Sequence, residues 1–147
     1  MLSVRIAAKS ERVLHPATPR FPAILDTAFN GGFLLQEEHL NQWAGLRREH
    51  LVPVDTITAF GRRVPVLRGN VWLHGNVPGK REEAIGVRPF CIHLDPGMAL
   101  CPRGLAQPRL PLLGLRALFL GDLQMSFHWR KLLVSLRTTP WWYGLLG

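Results

Sequence analysis

In this chain of 147 residues, the sequence around one carboxylate, Asp26, indicates a reactive side chain. It follows an apolar segment at 21–25, which predicts a buried β-strand, and it precedes a glycine-rich stretch at 27–32, which predicts a turn. Burying an isolated charge among apolar residues costs free energy, so a charge at this place indicates a functional role. A carboxylate held at such a turn can give or take a proton, and we therefore expect acid or base chemistry at Asp26.

A second motif lies in the other half of the chain. It comprises Leu112, Leu113 and Gly114, and a helix-like segment follows it. Together with the Asp-Thr-Ala motif at Asp26, it resembles the half-sites of the retropepsin-like aspartic proteases, which pair Asp-Thr/Ser-Gly with a later apolar-apolar-Gly. The resemblance covers roughly residues 20–137. Within the family, the chain resembles the bacterial-like, single-domain branch, in which Phe-Asn-Gly continues the first motif.

The resemblance implies a mainly β fold, namely a retropepsin-like closed β-barrel half-site with one or two short helices, active as a two-fold dimer. The other aspartates, Asp55, Asp95 and Asp122, lack the motif's surroundings, so one chain offers one half-site. A two-aspartate centre then requires a second copy of the chain. We expect a homodimer.

The same resemblance implies an aspartic endopeptidase that hydrolyses peptide bonds with a water activated between two Asp26 carboxylates. Repulsion between two close carboxylates keeps one proton shared, so one side acts as base and the other as acid. This mechanism uses no cofactor and no metal. Its partners are a peptide or protein substrate and the second subunit.

The chain departs from the family pattern at Ala28, where the family has glycine. Glycine lets the main chain approach a substrate closely, and alanine adds one methyl group there. The alternative function is therefore a non-catalytic, aspartic-protease-like module that binds peptides or a protein partner through the same groove.

By resemblance, the other site residues fall into two groups. The first group supports the active-site loop, and the second, which includes the tip of a flap-like hairpin, binds substrate. The first group is Thr27, Ala28, Leu112, Leu113 and Gly114; the second is Asn30, Ala59, Phe60, Gly61 and Arg62.

The elements that must position these residues follow from alternation and turn signals. Strands at 54–60 and 64–73 around a glycine predict a hairpin, which is either the flap or an ordinary surface hairpin. A short helix opens at Glu37, a strand at 85–94 follows the hairpin, and strands at 123–129 and 132–136 form a final hairpin.

Three other segments bound the predicted protease domain at 21–137 or interrupt it. Residues 1–20 form an N-terminal leader with an edge strand, and residues 138–147 form an aromatic tail that either joins the dimer or folds back on its own core. The segment 96–108 has three prolines and no period, which predicts an inserted loop.

Composition argues against several other classes. The net charge of +8 comes mostly from 15 arginines scattered along the chain, so a specific nucleic-acid binder is a lesser hypothesis. No segment predicts a signal peptide or a membrane span, and two cysteines suggest free thiols, so we expect a cytoplasmic protein. Cys91, His93 and Cys101 do not match a zinc motif, and Ser126 with His128 lacks a partnering acid.

Overall fold

The computed structural model describes residues 1–8, 10–11, 13–59, 61–77, 80, 84–101, 110–131 and 133–138. The described chain is mainly β, as expected, with nine strands in one sheet and two in a separate hairpin. The strands are β1 (Leu2–Ala8), β2 (Phe21–Asp26), β3 (Phe33–Gln36), β4 (Pro53–Ala59), β5 (Arg62–Leu67), β6 (Gly69–His74), β7 (Phe90–His93), β8 (Met98–Cys101), β9 (Leu112–Gly114), β10 (Leu123–His128) and β11 (Leu133–Thr138).

Helical structure is short in the described residues. The α-helix α1 (Leu115–Leu120) directly follows β9 and ends at Gly121. A π-helical turn, His39–Trp43, lies where the short helix was predicted, and it buries Leu40. Single 3₁₀ turns occupy Arg48–His50 and Trp129–Lys131.

The large sheet has the strand order β4-β5-β8-β3-β9-β2-β1-β6-β7. Most neighbours are antiparallel, but β9 runs parallel to β2, and β8 runs parallel to β3. Among the described residues the order is open, since β4 and β7 at its two ends do not pair with each other. The parallel β2–β9 pair places the two sequence motifs side by side at the middle of the sheet.

One face of this sheet carries the main core. Because side chains alternate along a strand, Phe21 and Ala23 of β2, Phe33 of β3 and Leu113 of β9 point to the same side. They pack with Val4 and Ile6 of β1 and with the π-helical turn, while α1 adds Ala117 and Leu118. We call this side the core face.

The predicted position of the first strand was wrong. We expected an edge strand in the leader, but β1 pairs with β2 on one side and β6 on the other. Its residues Val4 and Ile6 are fully buried. With a paired strand on each edge, β1 lies inside the sheet, where Val4 and Ile6 pack in the main core.

The prediction of an inserted loop at 96–108 was also wrong in part. Met98–Cys101 is the interior strand β8 between β3 and β5, and all four residues are buried. A strand that is buried on both faces has no alternation of apolar and polar residues, which is why no period was visible. Residues 102–108, the remainder of the predicted loop, lie outside the described residues.

Two strand boundaries also needed correction. The predicted strand 64–73 is two strands, β5 and β6, separated at Arg68, and the predicted strand 85–94 begins only at Phe90, with Ile85 fully exposed. The final hairpin is confirmed as β10 and β11. The aromatic tail beyond Thr138 lies outside the described residues, and none of the described helices is long and apolar enough to cross a membrane.

Candidate active site

Asp26 is the last residue of β2 and is half-buried. Its carboxylate Oδ1 accepts the backbone N–H of Ala28 at 2.9 Å, and its carbonyl oxygen accepts the N–H of Phe29 at 3.2 Å. Both bonds close a tight turn of the kind that aspartate favours. The side chain is therefore oriented by its own loop at the point where the strand leaves the sheet.

The second motif lies directly beside this turn. Leu112, Leu113 and Gly114 pair in parallel with Ile24, Leu25 and Asp26, in that order. At the end of β9 the N–H of Gly114 donates to the carbonyl oxygen of Gly32 at 2.9 Å, and the N–H of Leu115 donates to that of Phe29 at 3.0 Å. These bonds connect Phe29 and Gly32 of the Asp26 turn to the start of α1.

The backbone of the Asp26 turn packs directly against Gly114. A Cβ atom at this position would be 2.3 Å from the carbonyl oxygen of Gly31 and 2.4 Å from that of Phe29. Both neighbours are backbone atoms, so neither can rotate away. A side chain is therefore incompatible with the observed approach of the turn to β9, which gives the glycine of the second motif a physical reason.

Asp26 points away from the main core. Ile24 lies two residues before it on β2 and is 38% exposed, whereas Ala23 is fully buried in the core. Ile24 pairs with Leu112, which in turn pairs with Leu34 of β3, so these residues share the face of the sheet opposite the core. We call this side the groove face.

A small apolar cluster continues along the groove face from the Asp26 turn to the β4–β5 hairpin. Phe29 from the turn, and Ile57 and Ala59 from β4, are partly buried against it. The cluster consists of the buried residues Leu34, Val64, Ala99, Cys101 and Leu112. The carboxylate turn and the hairpin are thus joined by one small, buried apolar cluster.

The hairpin tip has the geometry of a tight turn. Ala59 pairs with Arg62, and Gly61 between them has φ of +70°, a conformation that favours glycine. A Cβ on Gly61 would have nothing within 4 Å, so the tip is open to solvent. Phe60, the remaining predicted tip residue, lies outside the described residues.

Thr27, Ala28 and Asn30 are exposed at the Asp26 turn. Among the described residues, Asp122 is the one non-glycine residue with positive φ, so Ala28 has ordinary backbone angles. Its methyl group therefore imposes no backbone strain on the turn. The structure brings the described candidate residues to the groove face or to the turn and hairpin that border it, except Leu113, which is fully buried in the core face.

Other candidate centres are less suited to catalysis. Burial raises the pKa of the Cys91 thiol to about 11, which keeps it protonated and a poor nucleophile near neutral pH. His128 Nε2 lies 2.9 Å from Ser135 Oγ, a cross-strand contact on an exposed hairpin. Cys101 is separated from Cys91 and His93 by five intervening strands, and no described group of three such residues could hold a metal ion.

Sequence reasoning singled out Leu112 and Ala59 but not Ile24, Leu34 or Val64, which also lie on the groove face. The sequence of β2 is apolar from Phe21 to Leu25, so it contains no polar alternation that would have placed Ile24 on the groove face. Leu34 and Cys101 lie in fully or mostly buried strands and gave no such signal.

Searches of protein-family models, of curated proteins and of solved structures found no match to this chain.

Proposed function

We propose that this chain is an aspartic endopeptidase of the retropepsin type, in which two copies each contribute Asp26 to one centre. The observation that carries the proposal is the parallel pairing of Asp26 with Gly114, which holds a half-buried carboxylate at the open side of the sheet. The partly exposed Ile24 on the groove face and the hairpin that borders this face offer an extended peptide a place to lie.

A two-fold dimer accounts for the exposed turn. Thr27, Ala28 and Asn30 present polar and small groups to solvent next to the half-buried Asp26 carboxylate. A two-fold axis through this turn brings the same residues together from both subunits. The proposed retropepsin-like half-site therefore requires the two-fold dimer.

The chemistry requires one proton for two carboxylates. The ionised Asp26 takes a proton from a water molecule while the water oxygen attacks the carbonyl carbon of the peptide bond. The protonated Asp26 of the second subunit donates a hydrogen bond to the carbonyl oxygen and stabilises the tetrahedral intermediate. Transfer of a proton to the amide nitrogen then breaks the C–N bond and releases a carboxylic acid and an amine.

Replacement of Asp26 by asparagine tests this assignment. Asparagine keeps an oxygen that can accept the N–H of Ala28 but cannot accept the water proton. We expect cleavage of a peptide library, read by mass spectrometry from acidic to neutral pH, to be abolished in Asp26→Asn while the thermal unfolding midpoint stays close to that of the native chain.

The matched control is Asp55→Asn. Asp55 is exposed, and its Oδ1 also accepts a neighbouring backbone N–H, that of Thr56 at 2.7 Å. The substitution therefore makes the same chemical change at a carboxylate with the same kind of local bond. We expect this variant to retain cleavage; undiminished cleavage by Asp26→Asn would instead assign the activity to another group.

Mixing the two proteins tests the shared centre. If each active unit needs two ionisable Asp26 residues, adding excess Asp26→Asn chain to the native chain lowers the activity per native subunit by forming mixed dimers. Sedimentation measured on the same samples gives the dimer population. Full activity in a strictly monomeric sample would contradict the paired mechanism.

Ala28 favours the second candidate function, a peptide-binding module without catalysis. Its methyl group stands at the exposed turn where a substrate main chain approaches Asp26. The apolar groove face does not depend on the reactivity of Asp26. Peptide binding by the native chain without cleavage at any pH would support this second candidate.

A further inference from the structure

The two arginines next to the hairpin tip point in opposite directions. Arg62 pairs with Ala59, and residues paired across an antiparallel ladder share one face of the sheet. Ala59 and Ile57 pack against the groove-face cluster, so Arg62 lies on the groove side of the hairpin. Arg63 pairs with Thr58 and lies on the outer side.

Arg62 takes part in no ion pair within the described part of the chain, and its side chain is exposed. Asp55 lies on the same side of the hairpin, at the other end of β4. The cluster below it is made of leucine, valine, alanine and cysteine side chains. An exposed guanidinium keeps its charge and its five N–H donors available to a ligand.

We propose that Arg62 gives the groove a preference for peptides with an acidic side chain beneath the hairpin tip. This inference rests on the proposed function and specifies its substrate class. Arginine binds carboxylates with two parallel hydrogen bonds, which lysine or a neutral donor does not reproduce. The net charge of +8 adds a long-range attraction for acidic segments of any sequence.

The size of the effect follows from the exposure of the site. An exposed arginine–carboxylate pair changes an equilibrium by a factor of about two to five, and salt screens it. We therefore expect kcat/KM for a peptide with glutamate at the responsive position to exceed that of its glutamine counterpart by about this factor. The ratio should fall toward one as the salt concentration rises.

The experiment first finds a cleaved peptide in a library and then replaces each of its positions in turn by glutamate or glutamine. The ratio of kcat/KM for each pair is measured for the native chain, for Arg62→Glu and for Arg63→Glu. Arg62→Glu should invert the ratio at the position that responds in the native chain. Arg63→Glu changes the net charge equally but on the outer side, so the ratio should be retained.

Two results overturn the inference while leaving the proposed function intact. One is cleavage by the native chain with equal rates for every glutamate and glutamine pair. The other is an equal change of the ratio in both variants, which would assign the preference to net charge alone. Absence of cleavage by the native chain, together with absence of binding of a fluorescein-labelled glutamate peptide, would overturn the proposed function and this inference with it.

Discussion

The two faces of the large sheet are built from the same strands, yet they bury very different amounts of apolar surface. Nineteen described residues make up the buried cluster of the core face, and five make up that of the groove face. On β9 the division passes between neighbours, because Leu113 belongs to the core face and Leu112 to the groove face. One face therefore supplies most of the buried apolar core, and the other buries a much smaller cluster.

The contrast between the two faces limits where a reactive carboxylate can lie. Burial of apolar side chains supplies most of the folding free energy, so a face with nineteen buried residues has little room for a reactive carboxylate. The groove face buries fewer apolar residues, and Ile24 and Asp26 remain partly accessible on it. Substitutions at matched positions on the two faces can test this division.

The largest expected effect is on stability, at Leu113. Truncation of this fully buried side chain in Leu113→Ala should lower the free energy of unfolding by about 2–5 kcal/mol, the usual range for a large-to-small core substitution. Urea unfolding followed by tryptophan fluorescence measures it.

Leu112→Ala is the matched variant on the opposite face. Leu112 is 8% exposed and packs in the smaller cluster, so its truncation should cost less stability and should weaken peptide cleavage more. Equal stability losses in the two variants, with equal effects on cleavage, would show that both faces belong to one core.

An intermediate effect is expected at Gly114. The added methyl group of Gly114→Ala would collide with two backbone oxygens of the Asp26 turn, so the turn must shift. Overpacking of this kind costs about 1–3 kcal/mol, and displacement of Asp26 should abolish cleavage.

Gly32→Ala is the control for this variant, because it lies at the other end of the same loop. A methyl group there would meet Leu94 Cδ2 at 3.4 Å, an ordinary contact, and the backbone bond from Gly114 to the Gly32 carbonyl would remain. Unfolding and cleavage are measured together for both variants. Retention of cleavage in Gly114→Ala would show that the turn does not depend on its approach to β9.

The smallest effect is expected at Ala28. Because Ala28 has ordinary backbone angles, Ala28→Gly should lower the free energy of unfolding by only about 0.4–1 kcal/mol through the greater freedom of the unfolded chain. Cleavage should be retained or raised, since one methyl group leaves the exposed turn. Differential scanning calorimetry and peptide kinetics provide the readouts; a loss of cleavage would mean that the methyl group itself contacts the substrate.

Local signals in the sequence predicted a substantial part of this arrangement. The apolar run before Asp26 and the glycines after it correctly predicted a strand that ends in a turn. Gly61 between two alternating segments correctly predicted the β4–β5 hairpin, because a tight turn needs a residue that tolerates positive φ. The final hairpin was predicted for the same kind of reason.

Other features depended on contacts between distant segments. Met98–Cys101 carries no period, because it is buried on both sides, and its place between β3 and β5 is set by strands far away in the sequence. The interior position of β1 was hidden for a related reason. Nothing within the leader indicates that two strands, β2 and β6, will flank it.

Neighbouring residues alone indicated that Asp26 ends a strand, that a hairpin with a glycine at its tip lies later in the chain, and that a second motif ends at Gly114. These are local properties of alternation, turn residues and backbone freedom, which neighbouring residues specify. The tertiary structure alone decided that Asp26 pairs with Gly114 in parallel, and that Leu112 and Leu113 serve opposite faces. An apolar run of leucines has no period that distinguishes its two sides, so only the strands and helices packed against them assign one side to the core and the other to the groove.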